Sequence, residues 1–548
     1  MSNARIISTQ PIPGQKPGTS GLRKKTREFM RPGYLENFVQ AIFNVLREDH
    51  PGGLAGQTLI VGGDGRYFNR EAVLTILRIA AGNGLGRMLV AQRGILSTPA
   101  MSIEIRSRGA AGGILLSASH NPGGPDADFG IKFNTSNGGP APESFTARIH
   151  DHTQRLTEYR IVEQDNLPID QLGDFTLGAM SVTVIDSLHG YVAAMQSLFD
   201  FDRLRAHLAS GFRICFDAMN GVTGPYAHRI FEDLLGAAPG SVIRSEPLED
   251  FGGDHPDPNL SHAAALVARL STPDAPDFGA ACDGDGDRNL ILGKSFFVSP
   301  GDSLAVIAEH AAQAIPAYRA GLAGVARSMP TSMAADRVAA QLGIPSFETP
   351  TGWKFFSSLL DAGRITLCGE ESFGTGSNHA REKDGIWAVL AWLSILAETR
   401  QPVSEIVNAH WRRFGRSYYQ RHDYEALESS AADAMIARLR ARLDSLSGHP
   451  FAGSTIASAG EFNYTDPVNG DTSNNQGVRI FLADGSRAVI RLSGTGTEGA
   501  TLRLYYESYS KDDIGQDCAA RIEPLAAATR ALLELEQSVG RVEPDVVT

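Results

Sequence analysis

Cysteine is scarce: Cys215, Cys282, Cys368 and Cys518 are the only four in 548 residues, they are far apart, and no CxxC pair occurs. That pattern argues against a zinc site or a disulfide framework and suits a reducing compartment. Long hydrophobic runs are missing too, since nothing approaches the ~20 apolar residues of a membrane helix. The N-terminal "MSNARIISTQPIPGQKPGTSGLRKKTREF" lacks the apolar core of a secretory signal. A cytoplasmic protein with no membrane partner is therefore expected. Positive charge is in deficit, with 50 Lys and Arg against 62 Asp and Glu and a net charge of −12. A general nucleic-acid binder would carry the opposite excess, so nucleic acid is not an expected partner, while local phosphate binding stays open.

Two motifs are also absent. The GKS at 293–295 has Arg288 where a Walker A loop needs its first glycine, and no GxSxG elbow surrounds Ser119. ATP-dependent kinase and α/β-hydrolase readings lose ground accordingly.

Glycine is abundant, at 58 residues, with 42% apolar and 20% charged residues, a composition that fits a soluble, loop-rich α/β protein. The length predicts several domains. Three segments share one pattern of apolar strand, small or polar loop, and amphipathic helix: "TLIVGGDGRYFNREAVLTILRIAAGNG", "FRICFDAMNGVTGPYAHRIFEDLLGA" and "GLAGVARSMPTSMAADRVAAQLGI". Strands alternating with helices predict βαβ units with mixed, mainly parallel sheets. The last stretch differs. A helical "YEALESSAADAMIARLRARLDSL" precedes three strand-like runs, "GVRIFLA", "SRAVIRLS" and "TLRLYYESY", and a second helical run, which reads as α+β. The expected fold is three serial α/β domains, 1–190, 191–302 and 303–415, and a C-terminal α+β domain, 416–548.

Four loops carry potential chemistry. "GGILLSASHNPGGP" at 112–125 runs from an apolar strand into Ser119, His120 and Asn121. Neighbours on an extended chain face opposite ways, so Ser119 and His120 are not expected to be a nucleophile and its own base. The alternative is an ordinary Ser/Asn/Pro/Gly turn. In "ACDGDGDRN", 281–289, alternation in an extended segment would bring Asp283, Asp285 and Asp287 to one side, with Gly284 and Gly286 letting the backbone curl around what they hold, and a hard divalent cation relieves their repulsion. An EF-hand is excluded, because its sixth position is Arg288 and its twelfth Lys294. A solvated acidic turn is the alternative. Arg288 beside the metal suggests an anionic ligand.

"RLSGTGTEGATLRLYY", 491–506, contains GxGxxG as Gly494, Gly496 and Gly499, but the strand-like "TLRLYY" stands where a dinucleotide fingerprint needs a helix. An anion cradle between Arg491 and Arg503 remains, against a plain hairpin loop. "CGEESFGTGSNHAREKDGIWAVLAWLSIL", 368–396, is a carboxylate- and hydroxyl-rich loop with Lys383 before a buried helix, and it suits a hydroxyl-rich ligand or simply solvent. Weaker polar loops are "GTSGLRKK" with Arg23, Lys24 and Lys25, and "TPTGWKFF" with Thr351, Gly352 and Lys354.

Together, "SASHNPGGPDADFGIKFN", "DGDGDRN", "GEESFGTGS" and "RLSGTGTEGATLRLY" resemble the phosphoglucomutases of the α-D-phosphohexomutase superfamily. The similarity extends over nearly the whole chain through "KPGTSGLRKK", "VGGDGR", "GILSTPA", "DFGGDHPDPNL", "ARSMPTS" and "ETPTGWKFF". The resemblance implies an isomerase that interconverts α-D-glucose 1-phosphate and glucose 6-phosphate in carbohydrate metabolism, with four domains around a central cleft. It implies Ser119 as phosphoryl carrier, with Asp283, Asp285, Asp287 and an oxygen of the phosphorylated Ser119 holding Mg2+. His120 and Lys132 become candidates for proton transfer or phosphate contact, with the base unassigned between them. Arg23, Arg288, Thr351 and Gly352 map to substrate contacts, Glu370 and Ser372 to the sugar loop with Lys383 near it, and Arg491, Ser493, Gly494, Thr495 and Arg503 to a distal phosphate loop. Glucose 1,6-bisphosphate is the implied intermediate and activator, sugar phosphates are the implied partners, and a monomer or a dimer is expected. Asn378 stands where close relatives are expected to have Asp. The rivals are a phosphomannomutase, a pentose phosphomutase or a non-catalytic structural relative; the intact Ser119, His120 and Asn121 favour an enzyme.

Overall fold

Each of the three repeated segments forms its strand and helix: Thr58–Gly63 with Asn69–Gly82, Ile214–Asp217 with Thr223–Ala227 (continued as a π-helical stretch, His228–Leu234), and Val325–Ser328 with Ala334–Leu342. The computed structural model describes residues 4–18, 20–493 and 499–548.

In the first sheet the strand order is Leu22–Lys25, Asp128–Thr135, Gly112–Leu116, Thr58–Gly63, Arg87–Ile95, Met180–Ile185, Gly173–Leu177. The run from Gly112–Leu116 to Met180–Ile185 is parallel, and the strands outside it are antiparallel. The second sheet is built on parallel Val242–Ile243, Ile214–Asp217 and Phe278–Cys282, with antiparallel Asn289–Gly293 and Phe296–Val298 at one edge. The third repeats the plan with parallel Ser346–Thr349, Val325–Ser328 and Leu367–Gly369 and antiparallel Thr375–Ser377. The central parallel strands Gly112–Leu116, Ile214–Asp217 and Phe278–Cys282 are buried on both faces, which is why they read as largely continuous apolar runs.

The parallel order also decides where the chemistry sits, because in open α/β sheets ligands gather beyond the carboxyl ends of the strands. The Ser119 loop leaves the end of Gly112–Leu116, the aspartate loop the end of Phe278–Cys282, and the Glu370 loop the end of Leu367–Gly369. One hydrophobic cluster runs through all three units. At its centre lies helix Gly385–Thr399, whose Trp387 and Trp392 are fully buried. This helix packs against Pro300–Ala314, Asn289–Gly293 and Phe201–Ala209, so the second and third units share a core. Its cap, Asp384, accepts from the Trp387 N–H at 3.0 Å and from the Tyr191 hydroxyl at 2.5 Å, tying it to the start of the second unit.

The C-terminal sheet is seven-stranded and antiparallel, with helices Ser429–Leu446 and Cys518–Leu533 packed on it. The helical reading of "YEALESS" is corrected here. Tyr424–Leu427 ends strand Arg416–Leu427, which pairs with Ala500–Ser510 from Arg416↔Ser510 onward. Tyr424 is buried, so cross-strand pairing overrides local propensity, and the helix begins only after Glu428 accepts from the N–H groups of Ser430 and Ala431. No helix among the described residues is long and apolar enough to cross a membrane.

Candidate active site

Residues from all four units, from loops of the first three and mainly from strands of the C-terminal one, line one cleft of about 690 Å³. Arg23, Ser119, His120, Lys132, Asp287, Arg288, Thr351, Gly352, Glu370, Ser372, Lys383, Arg491, Ser493 and Arg503 are on its walls. Asp283 and Asp285 lie fully buried behind them. Gly494 and Thr495 lie outside the described residues.

Ser119 is not on an extended chain. It sits in a left-handed turn, φ 55°, closed by the Asn121 N–H donating to the Ala118 carbonyl at 3.2 Å. Its side chain is buried, and Oγ donates to Asp283 Oδ2 at 2.9 Å rather than to His120. The turn is clamped from behind. Arg66, paired with Asp64 in a fully buried ion pair, donates to the Ser119 carbonyl at 2.8 Å, and Ser117 Oγ accepts from the Ser119 N–H at 2.7 Å. A non-glycine residue with positive φ costs about 1–3 kcal/mol and persists only where its surroundings impose it.

The aspartates converge through a turn, not through strand alternation. Gly286 has φ 80°, and the three carboxylates come within 4.8 Å of one another. Asp283 Oδ1 accepts from the N–H groups of Asp287 at 2.9 Å and Arg288 at 3.0 Å. Asp285 Oδ2 accepts from Thr98 Oγ1 at 2.7 Å and Ser117 Oγ at 2.9 Å, while Asp287 faces Lys383 Nζ at 3.3 Å. Burial, then the charges of Asp287 and Asp285, push the Asp283 carboxyl well above its usual range. Burial acts the same way on Asp285, but Lys132 and the hydrogen bonds from Thr98 and Ser117 outweigh it and hold that group low. Oδ1 of Asp285 and Oδ1 of Asp287 are buried with no hydrogen-bond partner. Unpartnered oxygens on clustered carboxylates form an all-oxygen donor set that fits a hard divalent cation.

The cations divide between two ends of the cleft. Near Ser119, Lys132 Nζ lies 3.7 Å from Asp285 and 3.9 Å from Glu382, and Arg288 lies 3.4 Å from Asp257. Gly21, φ 87°, lets the chain before Arg23 press against strand Asp128–Thr135; a Cβ there would lie 2.5 Å from the Ile131 carbonyl oxygen. Burial, with the charges of Arg288 and Arg23, holds the His120 imidazole well below its ordinary value and therefore neutral. At the far end, Arg491 and Arg503 are directly opposed across strands Arg487–Ser493 and Ala500–Ser510. Like charges opposite one another destabilise a sheet unless an anion lies between them. Arg503 donates to Ser493 Oγ at 3.1 Å and pairs with Asp423 at 3.5 Å. Between the ends, Glu370 Oε1 accepts from the Gly352 N–H at 3.0 Å, joining the two loops of the third unit.

Sequence reasoning missed several wall residues: Glu382, Arg421, Asp423, Asp257 and Tyr505. "DFGGDHPDPNL" was a signal for Asp257, and Glu382 precedes Lys383. Arg421 and Asp423 lie on a strand with no motif character.

Family models match in series. Phosphoglucomutase/phosphomannomutase α/β/α domains I, II and III match residues 14–160, 189–295 and 300–414, and the phosphoglucomutase-1 C-terminal domain matches 416–545. The chain is 52% identical to a phosphoglucomutase of Rhizobium radiobacter, over 99% of this chain and 100% of that one. It is 50% identical to a cytoplasmic phosphoglucomutase of Populus tremula, over 100% and 99% of the two chains. It is 51% identical to a chloroplastic phosphoglucomutase of Arabidopsis thaliana, over 99% and 89%. The crystal structure of pp63/parafusin, a phosphoglucomutase from Paramecium in its open form, superposes with a TM-score of 0.93 at 49% identity, covering 100% of this chain and 99% of that one. With full-length identity near one half and all four domain types in order, the chain belongs to the phosphoglucomutase family of the phosphohexomutases.

Proposed function

We propose that this phosphoglucomutase interconverts α-D-glucose 1-phosphate and glucose 6-phosphate by passing a phosphoryl group through Ser119. One observation carries the reading: Ser119 Oγ lies 2.9 Å from a carboxylate of a buried three-aspartate cluster, in a cleft whose opposite end presents an arginine pair.

Phosphorylated Ser119 donates its phosphoryl group to the free hydroxyl of the bound sugar phosphate. The Ser119 O–P bond breaks, a P–O bond to the sugar forms, and the hydroxyl proton leaves. His120, neutral in its buried setting, can accept a proton, whereas Lys132, within 3.7 Å of Asp285 and 3.9 Å of Glu382, is placed for phosphate contact. Asp283, Asp285, Asp287 and an oxygen of phosphorylated Ser119 would hold Mg2+, which when bound neutralises charge on the transferred group. The bisphosphate then turns, its other phosphate returns to Ser119, and the proton returns to the sugar oxygen. Arg491, Ser493 and Arg503, with Gly494 and Thr495, hold the phosphate that is not being transferred. Arg23, Arg288, Thr351, Gly352 and Lys383 contact substrate, and Glu370 and Ser372 hold sugar hydroxyls.

We divide the chain at 1–190, 191–302, 303–415 and 416–548 and place it in the cytoplasm, as a monomer or a dimer. Its cysteines are free, and cytoplasmic phosphoglucomutases are among its relatives. A coupled assay from glucose 1-phosphate to glucose 6-phosphate with Mg2+, run beside mannose 1-phosphate, tests the reading. A faster rate with mannose 1-phosphate, or no rate with either, overturns it.

A further inference from the structure

A second group of potential ligands lines the same cleft on a loop of the second unit. His255, Asp257 and His262 each present a donor atom within 4.8 Å of the others. The two imidazoles are stacked, with centroids 4.5 Å apart and planes 18° from parallel. His255 Nδ1 is buried and has no hydrogen-bond partner, although a ring nitrogen out of water normally has one. The loop is stiff: Pro256 and Pro258 alternate with the ligands, and the Gly284 N–H donates to the Pro256 carbonyl at 3.2 Å. Asn259 Oδ1 accepts from the N–H groups of Ser261 at 3.0 Å and His262 at 2.9 Å, turning the chain so that His262 comes back to His255.

Two imidazoles and one carboxylate are a different donor set from the three aspartates. Mg2+ prefers oxygen alone and keeps much of its water, whereas nitrogen donors suit Zn2+, Ni2+ or Cu2+. Three protein ligands with an open fourth position is the arrangement of an accessible zinc site. We propose that His255, Asp257 and His262 form a second cation site, for a borderline transition-metal ion such as Zn2+, through which that ion inhibits the enzyme.

The route to inhibition is direct. Asp257 Oδ1 faces Arg288 Nη1 at 3.4 Å, and its Oδ2 accepts from Asn259 Nδ2 at 2.9 Å. An ion that takes the Asp257 carboxylate competes with Arg288 for it, and Arg288 also faces Asp283 at 3.9 Å. The guanidinium would lose the anion that holds it on the cleft wall, and the ion would add positive charge where a sugar phosphate enters. This consequence rests on the mutase reading; the binding does not.

The test uses the full chain in excess Mg2+, so that the aspartate cluster is occupied, and titrates ZnCl2 by calorimetry. Wild type should bind one Zn2+. His262→Ala, an exposed position, should bind it about tenfold or more weakly, since even partners behind a ligand are worth that much. X-ray absorption should report two imidazoles on zinc in wild type and one in any zinc retained by the variant. Zn2+ should inhibit wild type at saturating Mg2+, and His262→Ala should keep its basal rate and need about tenfold more Zn2+. Equal zinc affinity in the two proteins, or zinc displaced competitively by Mg2+, overturns the site. Zinc binding as expected in a protein without mutase activity leaves the site standing and overturns the mutase reading instead.

Discussion

Ser119 Oγ donates to Asp283 Oδ2 across 2.9 Å, joining loops 164 residues apart in the chain. Because this serine is proposed to carry the phosphoryl group, Ser119→Ala should lower turnover by a factor of about 10³ or more. Only one hydrogen bond is lost, so stability should fall by about 1–2 kcal/mol. Steady-state assay and urea denaturation check the two numbers. A variant that turns over at a tenth of the wild-type rate would exclude Ser119 as the carrier.

Asp285→Asn removes one charge from the aspartate cluster while its amide oxygen can still accept from Thr98 and Ser117. The fold should survive, and the Mg2+ concentration for half-maximal activity should rise by one to two orders of magnitude, roughly. EDTA should silence wild type, and Mg2+ should restore it. Full activity in metal-free buffer would refute the metal assignment.

Glu370→Gln keeps an acceptor for the Gly352 N–H but loses the negative charge offered to sugar hydroxyls. A hydrogen bond to a charged group is worth about 1.5–3 kcal/mol, so kcat/KM for glucose 1-phosphate should fall about 10- to 100-fold. Unchanged kinetics would mean that this loop does not hold the sugar.

Glu382 is buried beside Lys132, and burial raises its carboxyl to about 7, from 4.5, despite that lysine. Below pH 4.5 the group is protonated in both folded and unfolded chains. As pH rises toward 7 the unfolded glutamate ionises and the buried one resists, so this group's contribution to stability is lost, up to roughly 3 kcal/mol. Glutamine never ionises. The stability of wild type relative to Glu382→Gln should therefore decline between pH 4.5 and 7.5, as read from urea midpoints. Parallel curves would show that Glu382 is not held protonated.

Arg503→Ala leaves Arg491 without its cross-strand partner at the proposed distal phosphate site. The bisphosphate should escape more often before turning, which leaves Ser119 without its phosphate and the enzyme inactive. Dephosphorylated enzyme should show a lag or no rate with glucose 1-phosphate alone, and the variant should need more added glucose 1,6-bisphosphate than wild type. Equal dependence in both proteins would count against this end of the cleft as the phosphate site.

Read without coordinates, the chain already disclosed its α/β units, its different C-terminal part and most of the cleft. These features are local. A parallel strand buried on both faces is an apolar run wherever it lies, and a loop that handles phosphate or metal must carry its own glycines, hydroxyls and carboxylates. "DGDGDRN" therefore pointed to a cation before any partner was known. Gly286 curls the chain as its glycines suggest, but the three carboxylates meet across that turn instead of along one face of a strand.

What the sequence settled alone was which segments carry the hydroxyls, carboxylates and arginines that line the cleft; what only the tertiary structure decided was how those segments meet. The left-handed turn at Ser119 depends on Arg66, Asp64 and Ser117, and the protonation of Glu382 depends on burial beside Lys132, 250 residues earlier in the chain. The opposition of Arg491 and Arg503 depends on strand register, and Arg421 and Asp423 enter the cleft on a strand whose residues looked in part helical. Desolvation, like-charge proximity and pairing across a sheet are sums over neighbours that only packing brings within a few ångströms, so no window of sequence contains them.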